Sequence, residues 1–388
     1  MIQWTPILTD AAKDKACRKI HEIAEVISTK DLRKNAYGLM AGNTGIALFL
    51  YYYWQWSGKE EYYDKASELI LDSMDKITVP LSSSTTPLSI ESSFYDGISG
   101  VGWGINHLFT HEFIEGEIGD SMGTVDPWLY RRMIYDLRKS ESGLLRGAAG
   151  IGLYAAGRDN RLSKEYLRRF VTELSGMIST ERPFDTVTDY SIANGIGGLI
   201  LLLVKIGAKH ADIKEIPVLL NYFKEGLASH IRDVLLPKIF PERIEPGWKD
   251  EMLSVVWVSL YSRLVDRKLC DALMARSIDI YRERTAASGA FDAGLSGGLI
   301  SAAHCMNRIY RLTGNKEYGE FARTLYEKEI DAAVFGDPSS GHKMWLTDSD
   351  GLYGLHMGLL DGLAGIGLAL IAAVSDREPG WDECLMMS

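Results

Sequence analysis

The sequence predicts an all-α protein, folded as a closed double ring of about seven inner and seven outer helices, an α/α toroid. Three observations carry that expectation: a glycine phrase that returns along the whole chain, amphipathic stretches that alternate with it, and a near absence of alternating strand patterning. The phrase is G-x-x-G leading into an apolar run. A recurrence of about 50 residues marks a repeat architecture rather than a string of unlike domains.

The phrase opens at Gly42 ("GNTGIALFLYYYW") and returns at Gly97, Gly147, Gly195, Gly294 and Gly362. Residues 248–265, "WKDEMLSVVWVSLYSRLV", fill the gap before Gly294 as a beat that has lost its glycines. Between the beats, Ile20, Ile23, Ala24 and Ile27 form one apolar stripe; Leu167, Phe170, Val171, Leu174 and Ile178 form another; Tyr318, Phe321, Ala322 and Leu325 form a third. Spacing of three and four residues puts each stripe on one helix face, with Lys, Arg and Glu opposite. The beats themselves are apolar nearly all round, so their helices are expected to be buried on every side. A ring within a ring is the simplest object that buries seven helices fully and seven on one face. It spans residues 1–388 as a single domain.

The connections then point to a site. Turns from an inner to the next outer helix are short ("SGKEE", "VDRK", "TGNKE"), whereas those from an outer to the next inner helix are long (78–96, 111–126, 181–193, 236–247 and 333–356). In an alternating ring the long ones share one face with the N-terminal ends of the inner helices. Long loops in a compact fold and helix N-termini are both common settings for binding. Residues just ahead of each first glycine are expected around that opening: Asp96, Arg146, Asn194, Asp292 with Ala293, and Asp361, joined by Trp248 and Lys249. Asp292, Asp96 and Asp361 are the candidate catalytic acid/base groups, although Asp96 and Asp361 also read as N-caps. Arg146, Asn194, Trp248, Lys249 and Tyr95 are the candidate binding residues. The aromatics Phe94, Tyr95, Trp103, Tyr190 and Trp248 either line a groove for an extended chain or belong to the core. His107 and His304 each lie ten residues after a first glycine, at one expected depth, with Cys305 nearby. They read as buried hydrogen-bonded histidines or as a displaced metal site.

Composition removes several classes. A net charge of −10 gives no basic footprint for nucleic acid or an anionic membrane. Four cysteines without a C-x-x-C pair fit free thiols in a reducing compartment. The start of the chain lacks a signal layout, and the most apolar stretch (357–374) is short for a bilayer and contains Asp361. A cytoplasmic protein without a membrane span is expected. No strand precedes the glycine phrases and no G-K-[ST] follows them, so they are not phosphate loops.

The repeated hairpins, the last written "LLDGLAGIGLALI", and the closing "WDECLMMS" resemble the lanthionine cyclase (LanC-like) family, the C components of lanthipeptide synthetases. The resemblance covers essentially the whole chain. It implies an α/α toroid with one zinc at its mouth, where the metal activates a peptide cysteine for addition to a dehydroalanine or dehydrobutyrine. An acid/base residue then protonates the resulting enolate. In active members the fifth beat reads W-C-Y-G and the sixth C-H-G-x-x-G. Here these are Trp248-Lys249-Asp250-Glu251 and Asp292-Ala293-Gly294-Leu295-Ser296-Gly297. On that alignment Lys249, Asp292 and Ala293 replace the Cys/Cys/His ligands, no zinc or other cofactor is expected, and an Asp292–Lys249 ion pair fills the site. The histidine of the fourth beat is Asn194, and the Asp expected four residues before the third is Gly143. The implied function is a non-catalytic peptide-binding or accessory component of a lanthipeptide-type modification system, its partner a peptide substrate or a peptide-modifying enzyme. The alternatives are an enzyme of different chemistry using the mouth carboxylates, such as a sugar-acting hydrolase, or a cyclase with relocated ligands.

Overall fold

Each glycine phrase leads into a buried helix. The computed structural model describes residues 2–82, 91–115, 122–180, 184, 187–238, 247–249, 251–286, 292–337, 340–345 and 353–388. The inner helices are α2 (Asn43–Ser57), α4 (Ile98–Thr110), α6 (Ala148–Arg158), α8 (Gly197–Lys209), α10 (Glu251–Ser262), α12 (Leu299–Thr313) and α14 (Leu363–Val374). Alternating with them along the chain are the outer helices α1 (Asp10–Ser28), α3 (Glu60–Ser82), α5 (Asp126–Arg138), α7 (Arg161–Thr180), α9 (Glu215–His230), α11 (Arg267–Ala286) and α13 (Lys316–Ala332).

The patterning explains which helix goes where. Every residue of α14 is buried, whereas α7 buries only the face carrying Ser163, Leu167, Phe170, Val171, Leu174 and Met177. Each inner helix packs on the next, and α14 packs back on α2, which closes the ring. Outer α1 covers the seam, against α13 and α14. Two short features were not legible in the pattern. Strands β1 (Met344–Trp345) and β2 (Tyr353–Gly354) pair antiparallel between α13 and α14. Helix α9 runs on into a π-helical turn, Ile231–Leu235. Much of the long connections lies outside the described residues. No helix among the described residues is long and apolar enough to cross a membrane.

Both ends of the chain lock onto the ring. Near the N-terminus, Trp4 Nε1 donates to the Ala372 carbonyl (3.1 Å), and Arg308 and Arg311 stack over its ring. Near the C-terminus a 3₁₀ turn, Trp381–Leu385, inserts between inner helices. Trp248 Nε1 donates to the Leu385 carbonyl and Trp257 Nε1 to that of Met386, both at 2.9 Å. Asp382, fully buried, accepts from His304 Nε2 (2.8 Å), Arg308 Nε (2.6 Å) and Arg308 Nη2 (2.7 Å). Burial pushes its carboxyl up, but Arg308 and His304 outweigh that and hold it at about 2. The closing W-D-x-x-L phrase is thus a structural lock.

Removing one partner of a buried pair strands the other charge, at a typical cost of about 3–5 kcal/mol. Asp382→Asn is expected to lose stability on that scale in chemical denaturation. Because the folded-state pKa lies below the unfolded one, the wild-type contribution is complete above roughly pH 4 and is lost as pH falls through about 2. An unchanged denaturation midpoint in the variant would remove this role.

Candidate functional site at the mouth of the ring

The mouth is built from backbone before any side chain enters it. Two residues ahead of each helix entry, an amide donates to the carbonyl at the same position of the neighbouring beat. The chain of bonds runs Leu360 to Met40 (2.9 Å), Met40 to Tyr95 (2.9 Å), Tyr95 to Leu145 (2.9 Å) and Leu145 to Ala193 (3.0 Å). It resumes from Lys249 to Ser296 (2.9 Å) and from Ser296 to Leu360 (2.9 Å). A second set ties the first amide after the entry to a carbonyl seven residues earlier: Asn43 to Ala36, Ile98 to Glu91, Ala148 to Glu141, Ile196 to Asp189, Leu299 to Asp292 and Leu363 to His356. Both sets give one register, with entries at Gly42, Gly97, Gly147, Gly195, Gly298 and Gly362, and Glu251 taking the fifth.

This register corrects the sixth beat. Its helix enters at Gly298, the N-cap of α12, four residues beyond Gly294. The two positions ahead of the entry are therefore Ser296 and Gly297, not Asp292 and Ala293. Ala293 is fully buried, its amide bonded to the Lys343 carbonyl (2.8 Å). Asp292 takes the position held elsewhere by Glu91, Glu141 and Asp189, and its Oδ1 accepts from the Gly294 amide (2.6 Å). It makes no ion pair with Lys249, and the pairing expected from the sequence is not formed. His107 and His304 also fall out of step, ten and six residues past their entries. Both are buried; His107 Nε2 meets Tyr52 Oη (2.9 Å) and His304 meets Asp382. Among the described residues no group of three or more His, Cys, Asp or Glu side chains converges as a metal site.

The last residue before each entry faces the opening: Ala41, Asp96, Arg146, Asn194, Gly297 and Asp361. Asp250, at the same position of the fifth beat, lies outside the described residues. The expected N-caps are elsewhere, since Gly97 and Gly362 occupy the cap positions and make no side-chain cap bond. Trp248 is also corrected: it is fully buried and bonded to the C-terminal segment, so it is core. Phe94, Trp103 and Tyr190 are buried likewise. Of the five aromatics named from the sequence, Tyr95 alone is half-buried.

One side of the mouth is an acidic cluster. Tyr95 Oη donates to Asp361 Oδ2 (3.5 Å), and the Arg146 guanidinium lies 4.9 Å over the Tyr95 ring. Arg146 Nη1 and Ser93 Oγ both donate to Glu91 Oε1 at 2.8 Å. Asp96 sits between them with its buried Oδ1 lacking a partner among the described residues. Burial, aided by Glu91, pushes its carboxyl above the usual range, against the pull of Arg146. Burial and the neighbouring carboxylates push Tyr95 up to about 12.

The other side is a cleft of about 320 Å³ lined by Thr188, Asp189, Ser191, Asn194, Lys238, Lys249 and Glu251. Glu251 Oε1 accepts from His230 Nε2 (2.9 Å) and the Tyr190 amide (3.1 Å), while Lys238 Nζ lies 3.9 Å from Oε2. Burial opposes its ionisation, yet these three partners outweigh it and lower its pKa. Sequence reasoning missed Glu91, His230, Lys238 and Glu251. For Glu251 a signal existed: a carboxylate stands where every other beat has glycine. His230 offered none, because the π turn that follows it is not a sequence pattern.

Close approach explains the glycines four residues ahead of an entry. A Cβ at Gly38 would lie 2.4 Å from Asp96 Cα, and one at Gly143 only 2.6 Å from the Asn194 carbonyl oxygen. The aspartate that the family resemblance expects at 143 therefore has no room. Gly143→Ala is expected to cost about 1–3 kcal/mol in thermal or chemical denaturation, because backbone must shift. Gly176→Ala, inside α7 with nothing within 4 Å of the added carbon, is expected to gain about 0.5–1 kcal/mol. Equal effects at the two sites would refute the steric reading of Gly143.

The sequence matches the family model described as lanthionine synthetase C-like protein over residues 33–233. No curated protein matches it. Among solved structures the chain is similar to a nisin cyclase, with 15% identity, a TM-score of 0.60 and 97% of each chain covered. At that identity the likeness speaks for the fold alone, and the fold is the α/α toroid built up above. With more than half of its residues matched by the family model and its helices closed into that ring, the chain belongs to the lanthionine synthetase C-like family.

Proposed function

We propose that this protein binds a peptide at the mouth of the toroid, as an accessory or recognition component of a peptide-modification system, without zinc-dependent thioether chemistry. One observation carries the reading: in the hydrogen-bond register of the mouth, Lys249, Ser296 and Gly297 occupy the positions that correspond to the family's Cys, Cys and His. An ammonium, an alcohol and a glycine do not make a zinc site at neutral pH. The acid/base positions have changed as well, to Asn194 and a Gly143 that tolerates no side chain. What persists is an opening lined by polar groups, with a half-buried tyrosine and an arginine on one side and a cleft on the other. The partner is a peptide substrate or the enzyme that modifies one.

Protein purified without chelators is expected to hold far less than one zinc per chain by elemental analysis, before and after zinc addition and dialysis. Stoichiometric zinc would sink the reading. The register is tested separately by restoration. The triple variant Lys249→Cys, Ser296→Cys, Gly297→His is expected to bind about one zinc, since two thiolates and an imidazole suffice for an open site. The triple variant Lys249→Cys, Asp292→Cys, Ala293→His is expected to bind none, because position 293 is buried in the core. Reversal of those two outcomes would show that the sixth beat is aligned wrongly.

A second reading, acid/base chemistry by mouth carboxylates, is favoured by Asp96. Its raised pKa and partnerless Oδ1, with Asp361 nearby, are what a proton-donating carboxyl needs. As a raised carboxyl it costs stability when ionised, and that cost develops as pH rises from the unfolded value through the folded one. Asp96→Asn is expected to be more stable than wild type at pH 7 and to lose that advantage near pH 3. If the variant gains nothing at pH 7, Asp96 is not a destabilised acid.

A further inference from the structure

The cleft between the fourth and fifth beats has an uneven division of charge. Its two carboxylates differ: Glu251 faces two basic side chains, whereas Asp189 accepts a backbone hydrogen bond and makes no ion pair with a described residue. Glu251 is held by His230, the Tyr190 amide and Lys238, and Asp189 Oδ1 accepts from the Ser191 amide (2.8 Å). Lys238 is drawn toward Glu251. Lys249, by contrast, is exposed, lines the cleft and makes no ion pair with any described residue. The exposed Asn194 carboxamide beside it makes no hydrogen bond with a described residue, although its backbone amide is bonded to Ser191 Oγ (3.4 Å).

From this we infer that the cleft is a carboxylate-binding subsite, in which the Lys249 ammonium and the Asn194 carboxamide receive an Asp or Glu side chain, or a terminal carboxylate, of the bound peptide. The inference rests on the peptide-binding reading above and specifies one contact of it. An ammonium supplies a charge-assisted bond and the carboxamide N–H a second donor at its side. Size agrees, since about 320 Å³ is at the small end of ligand pockets and suits one side chain rather than a folded segment. Charge count selects a monoanion. A phosphate dianion would meet two ionised carboxylates on the same wall, with Lys249 as the cleft cation not already facing one of them among the described residues. The change is chemically coherent with the family resemblance: a position that corresponds to a thiolate holding a metal cation carries a cation in its own side chain.

The test is a saturation-transfer NMR titration with N-acetylglutamate and N-acetylglutamine on wild type, Lys249→Met and Asn194→Ala, with inorganic phosphate as competitor. Both substituted side chains are exposed, and an unchanged melting temperature verifies folding. The expected result is preferential binding of the glutamate, about tenfold weaker in Lys249→Met and several-fold weaker in Asn194→Ala. Absence of transfer, equal binding of the two amino acids, no effect of Lys249→Met, or displacement by phosphate at lower concentration would each overturn the subsite. Two fluorescein-labelled octapeptides that differ by one Glu-to-Gln exchange, followed by anisotropy, separate it from the parent reading. If both bind equally, the peptide reading survives and the subsite falls. If neither binds while N-acetylglutamate does, the subsite stands and the peptide reading falls.

Discussion

Everything at the mouth depends on the lateral hydrogen bonds that join one helix entry to the next. For the Met40 amide to reach the Tyr95 carbonyl, and for Leu360 to reach Met40, neighbouring backbones must lie in contact. The second glycine of the phrase answers a related demand, the close folding of each beat's own lead-in onto the start of its helix. A Cβ at Gly45 would fall 2.0 Å from the Leu39 carbonyl, at Gly100 2.2 Å from that of Phe94, and at Gly365 1.8 Å from that of Leu359. The G-x-x-G pattern is therefore a packing device of the ring, required so that buried amides and carbonyls find each other. It carries no ligand chemistry of its own.

A frame fixed by backbone leaves the side chains around each entry free to vary toward the opening. Chemistry can change there without disturbing the fold, which is how one toroid accommodates different mouths. The fifth and sixth beats are where the frame itself departs from the pattern. The second glycine is replaced by Ser254 and Ser301, and Ser301 Oγ accepts from the Trp248 amide at 2.7 Å. Gly247 closes on the same place, where a Cβ would lie 2.7 Å from Gly297 Cα. The fifth and sixth beats are thus tied through a serine hydroxyl that stands where the other entries have the second glycine. The altered residues come with an altered support.

The number of helices, their alternation and the closure of the ring were legible in the sequence, because each depends on period and polarity alone. The register of the sixth beat was not. The complete G-x-x-G phrase there begins at Gly294, whereas the helix enters at Gly298, where the phrase has become G-x-x-S. Only the bonds from Ser296 to Leu360 and from Lys249 to Ser296 decide, and those join residues far apart in the chain. The error spread from there: the Asp292–Lys249 pair and the equal depth of His107 and His304 both assumed the wrong entry. Trp248 failed for a different reason. Its indole N–H is satisfied by the Leu385 carbonyl, more than a hundred residues away, and nothing around position 248 announces that partner.

The order of beats around the ring gives the mouth a polarity. Asp361, Asp96 and the Glu91–Arg146 pair belong to the seventh, second and third beats, which with the first form one continuous arc. Lys249 belongs to the fifth, separated from Asp361 by the sixth beat and from Arg146 by the fourth. Around the acidic arc Arg146 is already paired with Glu91, and around the lysine Glu251 is already held by His230 and Lys238. The acidic arc thus leaves Asp96 and Asp361 without an ion pair among the described residues, and the far side leaves the Lys249 ammonium, with Asp189 beside it. Such a separation acts on orientation more than on affinity, because reversing a bound chain sets like charges together. In the peptide-binding reading, a segment with a cationic residue on one side and a carboxylate on the other lies across this opening in a single direction.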